Sequence, residues 1–314
     1  MQSPPYCKIA NIVQVRERLQ VEQMDGRLVA VAVIFVVLVG SVGAYVPAYA
    51  ESGGECSFST GGTIMKLQAD CTTDATILVP DGFTLDGAGY TITAVDPFGG
   101  HFLGAVVANK GARANVINLG ITTSNLADAC ETNDKTAGTD LRLRGIQFNG
   151  ASGEIAHNTV TDINRAASSC WEGAGIEVRN EPTDGSHPNT QTVEVSDNVV
   201  MNYQMVGIVG VGDVSVKIHN NRISASAAKA TVPESGIQLS YHAIGEISGN
   251  VVTGNWYQQV TRGSGKAIGQ QPSVAAGILL YNIEMSKVKV FDNEFRDNQV
   301  NMFVTTSASL GYRP

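Results

Sequence analysis

The chain has 314 residues, of which 43% are hydrophobic and 16% are charged. With 21 Lys and Arg against 29 Asp and Glu, the formal net charge is −8, and the sequence contains no basic run. This charge disfavours DNA, RNA and anionic membrane surfaces as partners, so we expect no nucleic-acid ligand.

Residues 1–50 are predicted to be an N-terminal extension and a secretory signal peptide. Twelve apolar residues, 28–39, follow Arg27, and the small-residue pattern Ala48-Tyr49-Ala50 comes after them. Such a run is short for a membrane span and typical of a signal peptide that is removed after the pattern. The alternative is an uncleaved anchor extending through Val46, which would be the protein's one contact with a membrane. Either way, the sequence predicts a secreted or cell-surface protein.

Residues 51–304 are predicted to form one domain rich in short strands. We interpret 51–75 as an N-terminal cap, followed by two irregular strand units at 75–94 and 104–124. The second of these units has an apolar residue, Leu119, where the later units have an asparagine.

Five copies of one short pattern occupy residues 145–298. Each copy begins with Gly and an apolar residue, and 13 to 23 residues later it contains an Asn with apolar residues three before and two after it. Self-similarity at this period indicates supersecondary units that stack on one another. The pattern residues are Gly145 with Asn158, Gly175 with Asn198, Gly207 with Asn221, Gly236 with Asn250, and Gly277 with Asn293.

The repeats favour parallel stacking over a series of hairpins. Val, Ile and Thr alternate with polar residues between the Asn positions, and Gly, Asn and Asp mark the breaks, which is typical of short strands and turns. Units of two or three strands that coil in one direction pair each strand with the same strand of the next unit and bury their apolar side chains inside.

The repeated asparagine is predicted to form a ladder inside the stack. Asn tolerates left-handed backbone angles, and its amide can bond to the equivalent group of the units above and below. The alternative is that these asparagines line a binding surface. The ladder explains the strict position of Asn better.

Two insertions and a tail interrupt the regular pattern. The insertions are residues 180–191 in the second regular unit and 256–276 between the fourth and fifth units. Loops that interrupt a solenoid on one face are common sites of binding. Residues 305–314 are predicted to be a C-terminal tail beyond the last unit.

The domain contains four cysteines, an even number that suits an oxidising compartment. Cys130 and Cys170 follow the Asn positions of consecutive units by 11 and 12 residues, so they are expected at the same corner of the stack and within disulfide reach. Cys56 and Cys71 then pair with each other. No CxxC or Cys/His spacing typical of zinc occurs, so bridges are favoured over a metal site.

The sequence resembles the right-handed parallel β-helix proteins of the pectate-lyase-like superfamily. The resemblance lies in Leu85-Asp86-Gly87-Ala88-Gly89-Tyr90-Thr91-Ile92 and in the five Gly to Asn units, and it covers about residues 60–304. It implies an all-β, single-stranded, right-handed parallel β-helix of about seven coils. It implies no single activity, because this superfamily includes lyases, hydrolases, epimerases and non-catalytic surface proteins.

Sugar-binding and catalytic candidates come from the outward positions of the first strand in each unit. Counting from each Gly, position +1 should point inward and positions +2 and +4 outward. In parallel β-helix enzymes the sugar lies along this sheet. The outward columns are Gln147, Glu177, Val209, Gln238 and Leu279 at +2, and Asn149, Arg179, Val211, Ser240 and Tyr281 at +4.

Glu177 and Arg179 of these columns, together with His242 at position +6 of the fourth unit, are the catalytic candidates. Acid and base catalysis requires titratable side chains beside the scissile bond. Polar and aromatic side chains suit sugar hydroxyls and ring faces. The predicted sugar-binding residues are Gln147, Gln238, Tyr281, Trp171 and Trp256.

No metal site is assigned, and calcium is the only cofactor that the sequence suggests. A lyase acting on a uronate commonly needs a cation, but calcium requires several converging carboxylates, and Glu177 has only Glu181 and Asp213 as neighbours by register. Glu177 with Asp213 is also the one pair whose spacing suits an inverting hydrolase.

Two functional hypotheses follow. The first is an exported β-helix that binds a polysaccharide or cell-surface glycan and cleaves it by lyase-type β-elimination. The second is a non-catalytic surface or adhesion module that displays the two inserted loops. Metal delivery is disfavoured because the sequence has no His or Met cluster.

Overall fold

A computed structural model describes most of the domain and none of the first 53 residues. The chain divides into two compact units, residues 1–48 and 49–314, and every described residue lies in the second. The predicted signal peptide and residues 306–314 of the predicted tail therefore lie outside the described residues. No helix among the described residues is long and apolar enough to cross a membrane. The described residues are 54–131, 133–134, 139–165, 170–180, 190–226, 232–257 and 274–305.

The described part of the domain is built from short β-strands, and its one helical element is a 3₁₀ turn at Met285–Lys287. In chain order the strands are β1 (Phe58–Gly61), β2 (Ile64–Leu67), β3 (Cys71–Thr73), β4 (Ile77–Val79), β5 (Phe83–Asp86), β6 (Thr91–Ala94), β7 (Ala105–Asn109), β8 (Arg113–Ile117), β9 (Gly120–Thr123), β10 (Asn133–Asp134), β11 (Thr139–Asp140), β12 (Arg144–Asn149), β13 (Ser152–Ala156), β14 (Thr159–Thr161), β15 (Ala174–Asn180), β16 (Gln191–Ser196), β17 (Val199–Met201), β18 (Val206–Gly212), β19 (Val214–His219), β20 (Arg222–Ser224), β21 (Ser235–Ser240), β22 (Ile244–Ser248), β23 (Val251–Thr253), β24 (Ala276–Tyr281), β25 (Val288–Phe291), β26 (Glu294–Arg296) and β27 (Met302–Thr305).

These strands form three large sheets, which we call sheets I, II and III. Sheet I contains β4, β7, β12, β15, β18, β21, β24 and β27, and sheet III contains β3, β6, β9, β14, β17, β20, β23 and β26. Sheet II contains β2, β5, β8, β13, β16, β19, β22 and β25, with β1 antiparallel at its edge. A separate antiparallel hairpin, β10–β11, follows β9 along the chain.

The chain visits the sheets in a fixed order, which makes the fold a parallel β-solenoid. From β4 onward, apart from the β10–β11 hairpin, a strand of sheet I is followed by one of sheet II and one of sheet III, and then the chain returns to sheet I. Within each of these sheets, successive strands pair in parallel. The all-β class and the stacked parallel architecture predicted from the repeat are confirmed. Each unit has three strands, since a third strand follows the Asn turn.

The expected N-terminal cap already belongs partly to the stack. β2 pairs in parallel with β5, and β3 pairs in parallel with β6. Only β1 departs from the pattern, because it lies antiparallel to β2 and ends sheet II at that edge. Residues 54–73 therefore combine a capping strand with the first two stacked strands.

The glycine that opens each repeat is required by close stacking. A Cβ atom added to Gly145 would lie 2.5 Å from the carbonyl oxygen of Gly175, and one added to Gly175 would lie 2.7 Å from that of Gly207. Both distances are too short for non-bonded atoms, so any other residue would force neighbouring units apart. The next position is a fully buried isoleucine in each of the five regular units, and burying each such side chain contributes about 1.5 to 3 kcal/mol.

The asparagine ladder is present and buried for most of its length. Each side-chain amide donates from Nδ2 to the Oδ1 of the next asparagine, and each backbone N–H along the ladder points to the same oxygen. The first member also accepts a hydrogen bond from the backbone N–H of Leu119, which occupies the predicted degenerate position. The amide bonds are Asn158 to Asn198 (3.0 Å), Asn198 to Asn221 (3.0 Å), Asn221 to Asn250 (2.9 Å) and Asn250 to Asn293 (2.8 Å).

The backbone geometry of the ladder differs from the prediction in one respect. The left-handed residue is the one before the ladder asparagine, as in His157 (φ 57°), Asp197 (φ 56°) and Asn220 (φ 57°). The turn bends at this preceding position, so the asparagine is free to direct its amide into the stack. These sites suit polar residues that tolerate positive φ.

Both predicted disulfides are confirmed. Cys56 and Cys71 are bonded with a Cα separation of 4.9 Å, and Cys130 and Cys170 are bonded with a Cα separation of 5.1 Å. The second bridge joins residues 40 positions apart, as the repeat register requires. The two bridges indicate that the protein folds in an oxidising environment.

Candidate functional site

The outward columns of sheet I have the predicted register but are not uniformly exposed. Gln147 pairs with Glu177, and Asn149 pairs with Arg179, in adjacent strands β12 and β15. However, Glu177 is 3% exposed and Arg179 is 5% exposed. The expectation that these two catalytic candidates lie on an open sugar-binding face is therefore wrong.

Glu177 and Arg179 belong to a buried group of charges that we call the arginine cluster. Its members are Asp140, Arg142, Arg144, Glu177 and Arg179. Asp140 ends the β10–β11 hairpin, and the next four residues bring Arg142 and Arg144 beside it. The cluster joins Asp140 of this hairpin to β12 and β15, and within it the side chains of Glu177 and Arg179 are buried on the outer face of sheet I.

Ion pairs connect the members of the arginine cluster. Asp140 accepts from Arg142 Nε at 2.8 Å and Arg142 Nη2 at 2.5 Å, and it also pairs with Arg144 at 3.5 Å and with Arg179 Nη1. Glu177 pairs with Arg144 Nε and lies 3.3 Å from Arg179 Nη1. Charge-assisted hydrogen bonds of this kind are shorter and stronger than neutral ones, so they fix the side chains of the cluster in place.

The pKa of Asp140 is set by two opposing effects, burial and the neighbouring arginines. Burial by itself would raise the pKa of Asp140, but the hydrogen bond from Arg142 and the charges of Arg144, Arg142 and Arg179 lower it to about 2. Glu177 pairs with two arginines and is buried, so its carboxylate is closed to a substrate.

The sequence contained a signal for this cluster that the repeat did not reveal. Asp140, Arg142 and Arg144 alternate with leucines immediately before the first Gly of the repeat. Alternating charge ahead of a strand indicates charged residues on one face. It does not show which surface covers that face.

The predicted sugar-binding residues of sheet I are uncharged and lie outside the arginine cluster. Gln147 is half-buried, and its side-chain Nε2 has no hydrogen-bond partner among the described residues. Gln238 donates to Ser240 Oγ at 3.3 Å. Tyr281 is half-buried and packs edge-on against the exposed Tyr241, with ring centroids 5.5 Å apart and an interplanar angle of 73°.

His242 is the predicted catalytic residue that is accessible. It is exposed in the turn between β21 and β22, with a left-handed φ of 76°, and Tyr241 before it has a φ of 50°. In the next unit Asn282 occupies the corresponding turn with a φ of 52°. Consecutive left-handed residues other than glycine are unusual, and such turns are often found at functional sites.

His242 lines a cavity that we call the turn groove, formed where successive units pass from sheet I to sheet II. The cavity has a volume of about 700 Å³. This volume is within the range typical of ligand-binding clefts. Its lining residues are Thr190, Asp213, Val214, His242, Ile244, Asn282, Ile283, Glu284, Met285 and Lys287.

The turn groove has a mixed and slightly acidic lining. Asp213 and Glu284 supply carboxylates, and Lys287 supplies a cation that lies 2.8 Å from Glu284. The hydrogen bonds from Lys287 and Ser286 lower the pKa of Glu284, so this carboxylate is ionised at neutral pH. The groove thus offers charged and neutral hydrogen-bonding groups above apolar side chains.

Trp171 and Trp256 lie at a different place, the corner at which the chain passes from sheet III to sheet I. Trp171 is 59% exposed and Trp256 is 53% exposed. Both lie at the end of sheet I opposite to the turn groove, since each precedes a strand of that sheet. The structure therefore does not bring all the predicted sugar-binding residues to one site.

Glu234 is a buried carboxyl group that the repeat pattern does not identify. It is 2% exposed, and its Oε2 accepts a hydrogen bond from the backbone N–H of Trp256 at 3.3 Å. Burial raises the pKa of Glu234 to about 8, so the group is neutral at pH 7. Nearby, burial and the charge of Glu234 raise the pKa of Tyr203.

A sequence signal for Glu234 did exist. It stands two positions before the Gly of the fourth repeat, where the other units have Leu143, Gly173, Met205 and Ala275. A carboxylate in an otherwise uncharged column predicts burial and a raised pKa.

Potential metal-binding side chains converge in one group of three among the described residues. The one group of three metal-binding side chains close enough to share an ion is Cys130, Cys170 and Glu172. The two cysteines form a disulfide, and Glu172 accepts bonds from the backbone N–H groups of Glu131 and Leu143. Glu181, a predicted neighbour of Glu177, lies outside the described residues.

No protein-family model matches the chain, and no curated protein has significant sequence similarity to it.

Proposed function

We propose that the protein is an exported, right-handed parallel β-helix of about seven coils that binds a polysaccharide or cell-surface glycan in the turn groove. The observation that carries the proposal is the groove itself, a cavity of about 700 Å³ lined by Asp213, His242, Glu284 and Lys287 over an apolar floor. Sugar sites combine apolar surface with a few fixed polar groups in this way. The disulfides and the signal-peptide pattern support export.

The charge of the groove favours a neutral glycan over a polyuronate. Asp213 and Glu284 exceed the single cation Lys287, and the whole chain is acidic. A polyanion would be repelled unless a cation bridged it to the carboxylates. Hydroxyl groups of a neutral chain can instead donate to these carboxylates and bond to the imidazole of His242.

The aromatic pair beside the groove supports the same ligand class. Tyr241 and Tyr281 come directly before His242 and Asn282, in adjacent units. Their edge-to-face packing fixes two phenol rings at the margin of the groove. Such rings bind the apolar faces of sugars while their hydroxyl groups remain in water.

Binding is tested with soluble cello-, xylo- and chito-oligosaccharides by calorimetry. We expect His242→Asn to weaken binding roughly threefold to tenfold, as for the loss of a hydrogen bond of about 1 kcal/mol. His157→Asn is a matched control, because His157 is also exposed and left-handed but lies in a turn between sheets II and III. Asn tolerates positive φ, so neither change strains the backbone. Equal affinity in both variants would place the ligand elsewhere.

Cleavage of a uronate polymer by β-elimination is a second candidate function. The accessibility of His242 favours it, and it requires a cation that bridges the polymer to the acidic lining of the groove. Among the side chains that line the groove, the exposed imidazole of His242 is the type most often used as a general acid or base. Glu177 and Arg179 no longer support this activity because they lie in the arginine cluster. The alternative to a lyase is a non-catalytic surface or adhesion module.

Incubation with a panel of uronate polymers, with and without calcium, separates these two possibilities. A lyase releases unsaturated sugars that absorb ultraviolet light, and the signal should disappear in His242→Asn. Absence of such products from every polymer would leave binding as the sole function of the groove.

A further inference from the structure

The three most exposed large apolar side chains of the described residues share one corner of the solenoid. They are Phe98, Trp171 and Trp256, with exposures of 108%, 59% and 53%, and no other described large hydrophobic side chain exceeds 49%. Phe98 lies between β6 and β7, Trp171 between β14 and β15, and Trp256 between β23 and β24. Each of these connections runs from sheet III to sheet I. We call the three residues the aromatic strip.

The register of the sheets gives the spacing along this strip. In sheet III, β6 is two strands from β14, and β14 is three strands from β23. Neighbouring strands are about 4.8 Å apart, so the strands that precede the three connections are separated by about 10 Å and about 14 Å along the stack. These lengths suit a chain of several sugars and exceed a single sugar ring.

Trp256 is held in place although its ring is exposed. Its indole Nε1 donates to the carbonyl oxygen of Asp297 at 2.6 Å, and its backbone N–H donates to Glu234 at 3.3 Å. The preceding Asn255 is fixed by bonds to Asn298 at 2.8 Å and from Tyr203 at 2.6 Å. An exposed ring that is fixed in this way binds a ligand with little loss of conformational entropy.

The residues between the rings indicate which kind of partner fits. Among the described residues of this corner, Asn202 and Ser226 lie between Trp171 and Trp256, so the described part of the strip is not a continuous apolar patch. A protein partner would favour a contiguous apolar surface. Separate rings with polar residues between them match a polymer in which apolar ring faces alternate with hydroxyl groups.

We propose that the aromatic strip is a second contact surface for a neutral polysaccharide, which runs along the stack and places its sugar rings against Phe98, Trp171 and Trp256. The inference rests on the proposed glycan-binding function and adds a site separate from the turn groove. The groove binds a short segment, and the strip increases the affinity for long chains by multivalent contact.

The test compares short and long ligands of the same chemistry. Cellulose, xylan and chitin serve as polymers, and their soluble oligosaccharides serve as short ligands for the groove. In pull-down assays we expect Trp171→Ala or Trp256→Ala to weaken polymer binding about tenfold, the effect of removing a well-packed aromatic contact. Phe98→Ala combined with both should weaken it further, while oligosaccharide affinity stays unchanged.

Two further variants control for indirect effects. Phe291→Ala removes an exposed aromatic side chain from sheet II and should leave polymer binding intact. Trp256→Phe removes the indole bond to Asp297 but keeps a ring, so it should retain more binding than Trp256→Ala. If the triple variant binds polymer like Phe291→Ala, the strip has no role and the groove proposal stands. If the wild-type protein binds none of the sugars, both proposals fail.

Discussion

At the residue scale, Glu234 shows how a single buried group links pH to stability. Its folded pKa is about 8, against an ordinary value of 4.5. Between these values the folded state keeps a proton that the unfolded state loses, so stability falls as pH rises from about 4.5 to about 8. Solvent screening reduces the full effect, which we expect to be about 2 to 4 kcal/mol.

Glu234→Gln should remove this dependence, because glutamine is neutral at every pH and can still accept from the Trp256 N–H. In urea denaturation, the variant should gain stability relative to the wild type by about 2 to 4 kcal/mol between pH 5 and pH 8. If the difference in unfolding free energy between the two proteins stays constant from pH 5 to pH 8, the pKa of Glu234 is not raised.

Asn221 supports a second prediction at this scale. Asn221→Leu removes the acceptor for the Asn198 backbone N–H and the donor to the Val195 carbonyl. We expect a loss of about 2 to 4 kcal/mol, since buried polar groups are left without partners. In the same chemical-denaturation measurement Ile223→Val is the comparison. It removes one buried methyl group from the core without touching the amide ladder, and it should cost about 0.5 to 1.5 kcal/mol. Equal costs would mean that packing, and not the amide ladder, sets stability.

At the element scale, the arginine cluster fixes the β10–β11 hairpin to sheet I. Asp140 has a pKa of about 2, below the ordinary value of 3.8. A lowered acid pKa contributes stability that is present above the ordinary value and lost as pH falls through about 2. The contribution is about 1 to 2 kcal/mol after solvent screening.

Asp140→Asn should loosen this hairpin specifically. The change leaves Arg142, Arg144 and Arg179 with less negative charge around them, so the free energy of locally opening this segment should fall by about 2 to 4 kcal/mol. Hydrogen exchange should accelerate in residues 139–149 more than in the Asn ladder. Uniform acceleration along the whole stack would show that Asp140 acts on global stability.

At the scale of the whole molecule, each unit of the stack contacts the units next to it, and two disulfides add covalent links. Loss of the Cys130–Cys170 bridge, which closes a 40-residue separation, should cost about 4 kcal/mol in the chain-entropy model. Loss of Cys56–Cys71, with a separation of 15, should cost about 3 kcal/mol. Thermal unfolding of the Cys130→Ala/Cys170→Ala and Cys56→Ala/Cys71→Ala proteins measures both. If losing Cys56–Cys71 costs as much stability as losing Cys130–Cys170, or more, loop length does not determine the stabilisation by these bridges.

The sequence by itself determined the stacking of the domain. The Gly and Asn positions predicted parallel strands, the inward isoleucines, the degenerate unit at Leu119 and both disulfide pairs. These features depend on contacts between one unit and the next, and a regular period repeats such contacts in every unit. Pattern and spacing are therefore sufficient to predict them.

Only the tertiary structure decided which outward residues are accessible. Glu177 and Arg179 occupy outward positions, yet they are buried and form ion pairs with Arg144 and Asp140. The turn groove and the aromatic strip likewise combine side chains from turns that are far apart in sequence. Burial of an outward position depends on where an inserted segment packs, and that is set by long-range contacts that no periodic pattern contains.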